Sequence, residues 1–283
     1  MVNRTMFSAA NTMSQLQSKL DIIGNNLANT NTSGYKAKNA TFGELLYQQF
    51  NNDKADNAPR QTALGVRIGV GAQIAQTQLV TKQGSLQTTD RFLDFAFTDE
   101  NLFFNVQMNN HQLNGEPEQI VWTRQGDFQL SVNDDGTSNL VDENGSYVLD
   151  ADGNPIQFRG ELEDVRMDNN GVMQVAYKDG GTERIAFGVT KINRPEVLSH
   201  LSGTYFTLPE NAVDLDLNID EILEDLVGNN RNQIALENGM LEQSNVDMSK
   251  EMSDLMQTQR SYQFNARTVS MADQMMGLVN SIR

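Results

Sequence analysis

The chain has 283 residues, enough for one or two domains with a real core. Its 21 Lys and Arg against 37 Asp and Glu give a formal net charge of −16, which disfavours a nucleic-acid backbone as partner. It has no cysteine, so disulfides and thiolate metal sites are excluded.

The first element is a helix. Met6, Ala9, Met13, Leu16, Leu20, Ile23 and Leu27 recur at alternating spacings of three and four, the stripe of a helix that packs along another helix. Asn3 is placed to cap it, and the helix is expected to end near Leu27. Burying one such stripe falls short of the entropy cost of ordering about 25 residues, so the helix needs neighbours. Asn29–Gly34 is a turn cluster in which Gly34 suits positive φ. The stretch 35–90, rich in Gln, Asn and Thr, reads as extended connecting chain with short strands.

From Arg91 to about Pro209 the period becomes two. Leu93, Phe95 and Phe97 alternate, as do Phe128, Leu130 and Val132, then Met173, Val175 and Tyr177, then Ile185, Phe187 and Val189. Asp135-Gly136, Asn144-Gly145, Asp152-Gly153, Asn170-Gly171 and Gly180-Gly181 punctuate these runs as turns. This predicts an antiparallel β domain. The stretch 210–230 then holds seven acidic residues and no basic one, with Leu215, Leu217, Ile219, Ile222, Leu223 and Leu226 patterned as a strand or short amphipathic helix. Ser244-x-x-Asp247 resembles a capping box opening a final helix. On that helix Met248, Met252, Leu255, Tyr262, Ala266, Val269 and Met276 repeat the packing stripe, interrupted by Gln259 and Asp273. Met271, Met275, Leu278 and Ile282 offer it a second apolar row.

Candidate chemistry is thin. Asp150-x-Asp152-x-Asn154-Pro155, with Glu161 twelfth, imitates a calcium loop, but Pro155 stands where the loop needs glycine and the flanks read as strands. An Asp-Gly hairpin is the expectation there. His111 and His200 sit in no ligand spacing, and Trp122 reads as a core or domain-surface aromatic. No catalytic, cofactor-binding or metal-binding residues are assigned, and no cofactor is expected. With no basic-then-apolar leader and no apolar run of about 18 residues, neither Sec export nor membrane insertion is expected.

Two separated stretches carry a resemblance. Leu20–Lys36, reading LDIIGNNLANTNTSGYK, resembles the N-terminal signature of the bacterial flagellar rod and hook proteins. Gly239–Asp247 and Gln257–Ala266 resemble that family's C-terminal signature. Within the family, Phe42–Tyr47, Gly65–Gly71, Gln83–Thr89, Leu93–Phe97 and Trp122–Phe128 look most like the distal rod protein. The chain departs from the family at Glu100–Phe104, in a longer Met108–Ile120 stretch, and in an acidic segment at Glu210–Asp225.

The resemblance implies an α+β fold: a discontinuous helical coiled-coil domain made by both chain ends, with a central all-β antiparallel domain between them. The expected divisions are 1–35 for the first helix, 36–90 connecting, 91–209 β domain, 210–238 acidic return and 239–283 for the last helix. Helix packing is expected to use Met6, Met13, Leu16, Leu20, Ile23 and Leu27 with Met252, Leu255, Tyr262, Ala266, Val269 and Met276. Asn25, Asn26, Asn29, Gly34, Ser244 and Asn245 belong to the family motif. The implied role is a non-enzymatic subunit of the basal-body rod, outside the cytoplasmic membrane, forming a hollow torque-transmitting tube. Its partners would be further copies, neighbouring rod and hook subunits, and the flagellar type III export apparatus. In early substrates of that apparatus a Phe precedes an apolar residue by four positions; here Phe7 is followed by Asn11. A hook or proximal rod protein, or a self-contained envelope binding module with helices clasping its termini, remain the other readings.

Overall fold

The structure is a computed structural model that describes residues 2–44, 48–50, 66–68, 72–108, 119–168, 170–209 and 219–281. The His111 and Leu215/Leu217 expectations, parts of the Phe42–Tyr47 and Gly65–Gly71 motifs, and Ile282 lie outside the described residues. The chain forms two compact units. One, the helical unit, gathers residues 1–28, 38–78 and 247–283; the other, the β unit, gathers 29–37 and 79–246. The chain therefore crosses between units four times, after Ala28, Ala37, Gln78 and Val246. The expected connecting stretch 36–90 is divided between the two units.

The helical unit contains α1 (Val2–Ala28) and α3 (Met248–Ser281), which pack against each other, and the strand pair Lys38–Glu44 with Ala72–Leu79. α1 begins one residue before the expected cap Asn3. At α3 the capping residue is Asp247 rather than Ser244. Asp247 Oδ1 accepts the N–H groups of Ser249 at 2.9 Å and Lys250 at 3.1 Å, satisfying donors the helix leaves unpaired. Ser244 Oγ instead accepts the Val246 N–H at 3.4 Å, in the approach to the helix.

The β unit is built on a ten-stranded antiparallel sheet. Its path runs from Gln157–Phe158 through Ser138–Val141, Tyr147–Val148, Leu102–Gln107, Ile120–Thr123 and Tyr205–Thr207 to Ser199–Ser202. Val189–Ile192 joins it through Leu102–Gln107 and is itself flanked by Leu223–Asp225. A three-stranded meander, Leu162–Asp168, Val172–Tyr177 and Thr182–Ala186, completes the layer arrangement. The period-two runs become these strands because alternate side chains fall on one face. Met173, Val175 and Tyr177 are buried while Gln174 between them is exposed. Helices at both ends and this antiparallel centre make the fold α+β.

The core is aromatic. Phe95, Phe104, Phe128 and Phe187 are wholly buried, with ring centroids 5.1 Å apart for Phe95–Phe187 and for Phe104–Phe128, both edge-on. Leu102–Gln107 is buried on both faces, since Phe103 joins a second cluster with Ile192 and Phe206. Each of the five expected turns has a glycine at positive φ: Gly136, Gly145, Gly153, Gly171 and Gly180. Alternation does not guarantee burial at the sheet margin. Along Gln129–Val132, Leu130 pairs with buried Leu140 and so shares its face, yet Leu130 is 36% and Val132 75% exposed, because among the described residues this strand pairs only with Ser138–Val141 at the margin of the sheet.

The described part of the acidic return, 219–238, is made of short elements. Within it α2 (Ile219–Ile222) leads directly into Leu223–Asp225, and Ile222 and Leu226 are buried. Arg231 follows, donating to the carbonyls of Asn170, Gly171, Phe187 and Leu226 at 2.9–3.3 Å and tying the meander to the sheet.

Candidate assembly surface and chain junction

On α1 the stripe is the protected side of the helix: Ala9 and Ile23 are buried, and Met6, Met13, Leu16, Leu20 and Leu27 are half-buried. On α3, Leu255, Tyr262, Ala266, Val269 and Met276 are half-buried, whereas Met248 and Met252 are 48% and 45% exposed. The most buried α3 side chains are Thr258 and Ala272, placed three residues after Leu255 and Val269. Small residues allow the close backbone approach that methionine would block, so the tightest row of the helix is not its most hydrophobic one. The rest of α3 presents apolar groups to solvent: Met256 51%, Phe264 72%, Met271 53%, Met275 48% and Leu278 64%. Phe7 on α1 is 65% exposed. Together these side chains form an exposed apolar row along α3, the kind of surface that marks an interaction site.

The family-motif asparagines serve the backbone. Asn26 is buried near the end of α1, where Nδ2 donates to the Lys38 carbonyl at 2.8 Å and Oδ1 accepts the Lys38 N–H at 3.0 Å. This mimics a strand partner for the chain re-entering the helical unit. Asn26 also bonds Glu251, whose carboxyl is pushed above its usual range by burial, against the lowering effect of that bond. Asn25 lies on the exposed side of α1. Asn29 Oδ1 accepts the Thr32 hydroxyl at 3.2 Å and so braces the turn.

Gly34, Asn245 and the segments around them form a junction inside the β unit. Residues 34–37, 79–85 and 239–246, at three of the four crossings, are held together there. Asn245 Oδ1 accepts the Ala37 N–H at 2.7 Å, and its Nδ2 donates to the carbonyls of Val80 at 2.7 Å and Lys82 at 2.8 Å. The Gly34 N–H donates to the Glu242 carbonyl at 2.8 Å, and Val80 N–H to the Ala37 carbonyl at 2.9 Å. Gly34 has φ +68°, and a Cβ there would lie 2.5 Å from the Arg124 backbone. At Gly84 a Cβ would lie 1.9 Å from the Gln243 carbonyl. Glycine is required at both points so that backbones can touch.

At the centre of the junction is a buried ion knot. Glu242 Oε1 accepts from Lys36 Nζ at 2.6 Å and from the Gly84 N–H at 2.9 Å. Its Oε2 accepts from Arg124 Nε at 2.8 Å, with Arg124 Nη2 2.6 Å away. Lys36 Nζ also donates to the Thr81 and Lys82 carbonyls, and Arg124 Nη1 to those of Asp99 and Leu102. The guanidinium stands over the rings of Phe97 and Phe103 at 5.4 and 5.7 Å. Burial holds the Lys36 amine below its usual range, and Arg124 lowers it further while Glu242 opposes both. Sequence reasoning assigned no role to these three charges, although each lies within a stretch quoted for the resemblance. A charged residue embedded in a motif was the only signal of a buried partner.

Elsewhere, the Asp150 loop is an Asp-Gly hairpin: Asp150 Oδ1 accepts the N–H groups of Asp152 and Asn154, and Gly153 N–H reaches the Asp150 carbonyl. Among the described residues no group of His, Asp and Glu is arranged to hold a metal ion, and no helix is long and apolar enough to cross a membrane.

Comparison with known proteins follows the same two ends. Residues 6–36 match the family described as flagella basal body rod protein, and 237–282 match the flagellar basal body rod FlgEFG protein C-terminal family. A Bacillus subtilis (strain 168) protein named flagellar hook-basal body complex protein FlhP is 38% identical over 99% of each chain. The chain belongs to the flagellar basal-body rod and hook family. That membership places it in the flagellar basal body, outside the cytoplasmic membrane. Flagellar basal-body rod protein FlgG of Borreliella burgdorferi is 28% identical over 99% of this chain and 98% of that one. FlgG of Bacillus subtilis is 25% identical over 96% of each. Lys36 and Glu242 fall within the two family matches; Arg124 falls between them.

Proposed function

We propose that this protein is a structural, non-enzymatic rod subunit of the distal-rod type, which polymerises through α1 and α3 into a hollow axial tube that transmits torque. The exposed apolar row of α3, from Met256 to Leu278, carries this reading, because a family of rod subunits supplies its natural cover: the same helices of further copies and of neighbouring rod and hook subunits. Delivery is through the flagellar type III export apparatus as an unfolded chain, with the terminal helices gaining their full packing on assembly. A Leu20→Asp substitution is expected to abolish polymerisation and motility while the β unit keeps its melting transition. Motile cells carrying that variant would refute the assembly role of the α1 stripe.

A second reading has its own support. Of the two Bacillus subtilis proteins, the one named FlhP is 38% identical and the one named FlgG 25%. The chain would then serve as the FlhP-type member of the hook-basal body complex in place of the FlgG type. Expression in Bacillus subtilis strains lacking one or the other protein separates the two readings by which strain regains swimming.

A further inference from the structure

The ion knot contains two cations and one anion. Lys36 and Arg124 are each 1% exposed, and Glu242 supplies the carboxylate that both share. Their remaining hydrogen-bond partners are carbonyls, which attract a cation but do not neutralise it; Asp99 and Glu100 add a weaker attraction to Arg124. Glu242 is also the last of the three in the chain, 206 residues after Lys36 and 118 after Arg124.

We propose that Glu242 is a completion lock: residues 34–37 take their buried place beside Arg124 only when the returning segment 239–246 delivers the shared carboxylate. Without it, two unpaired cations would face each other out of water, which is far more costly than a lost hydrogen bond. A chain whose C-terminal segment has not arrived therefore keeps 34–37 undocked. When it arrives, the segments leading from α1 and into α3 are fixed side by side in one step. The lock rests on the geometry of the β unit alone and holds whether or not the chain polymerises.

The charges make an asymmetric demand on variants of the full-length protein. Glu242→Gln preserves size and an acceptor oxygen but leaves two buried cations. Lys36→Met leaves a balanced Arg124–Glu242 pair. The double variant returns to one buried cation, the native excess. Hydrogen exchange at the amides of Gly34, Val80 and Gln243, whose acceptors are the carbonyls of Glu242, Ala37 and Ser85, reads the junction directly. Exchange there is expected to accelerate more than about 100-fold in Glu242→Gln and less than about 10-fold in Lys36→Met. The sheet amides of Asn105 and Leu149 should change less than about 3-fold. Adding Lys36→Met to Glu242→Gln should restore about 10-fold of the lost protection, although it removes still more contacts. Equal acceleration in the two single variants, or a double variant worse than Glu242→Gln, would overturn the lock. If Glu242→Gln does not fold, a folded and protected double variant supports the lock and an unfolded one overturns it.

Discussion

In the β unit Phe95, Phe104, Phe128 and Phe187 are wholly buried, whereas on α3 of the helical unit Phe264 is 72% exposed in a row with Met271 and Leu278. Charge is divided the other way. The helical unit has 10 Lys and Arg against 8 Asp and Glu; the β unit has 11 against 29. One region is complete in itself and strongly negative, so that copies repel one another through it. The other is close to neutral and leaves apolar side chains of α3 exposed. On the proposed reading, the same chain separates the task of folding alone from the task of assembling.

Four substitutions test how sharp that division is. The largest effect on the monomer is expected from Phe104→Ala in the β core, about 3–5 kcal/mol of stability lost in urea unfolding. The helical signal of α1 and α3 at low denaturant should be unchanged. Next is Arg231→Met, which leaves buried carbonyls of Asn170, Gly171, Phe187 and Leu226 short of a donor. A loss of about 2 kcal/mol is expected, with local exchange concentrated at 170–171 and 187. A loss spread evenly over the helical unit as well would mean the two units do not fold separately.

Asp127 adds a pH test. Its carboxyl is pushed up to about 6, first by burial and then by Glu143 and Asp94, against hydrogen bonds from Gln125 and its own backbone. A carboxyl raised on folding binds its proton more tightly in the folded chain, so its stabilising contribution is present at low pH and is lost as pH rises from about 4 to about 6. Asp127→Asn should therefore gain about 1–2 kcal/mol over the parent between pH 4 and pH 7, measured as the difference in chemical unfolding. A pH-independent difference would refute the assignment. The smallest monomer effect belongs to Phe264→Ser, less than about 0.5 kcal/mol, because little is buried there. Its polymerisation should nevertheless be impaired in sedimentation, which separates surface kept for neighbours from surface used within the chain.

Much of this division was legible in the sequence. Period and turn residues placed both helices and the antiparallel centre, because regular local geometry forces regular spacing. The row on α3 was harder. Hydrophobicity selects Met252 over Thr258, yet Met252 is exposed and Thr258 buried. A helix with apolar residues on several sides does not announce which side its own chain covers. Leu130 and Val132 show the same limit in a strand, where parity is local but cover comes from distant residues. The knot was least legible of all, since a lysine, an arginine and a glutamate separated by up to 206 residues look like ordinary surface charges until the fold brings them together.

The four crossings of the chain have a mechanical consequence. Two bodies joined by a single peptide can swivel freely about it. Joined at four points, the two units keep three backbone connections when any one is cut. Backbone connectivity alone therefore ties the two units together redundantly, before any side chain contributes.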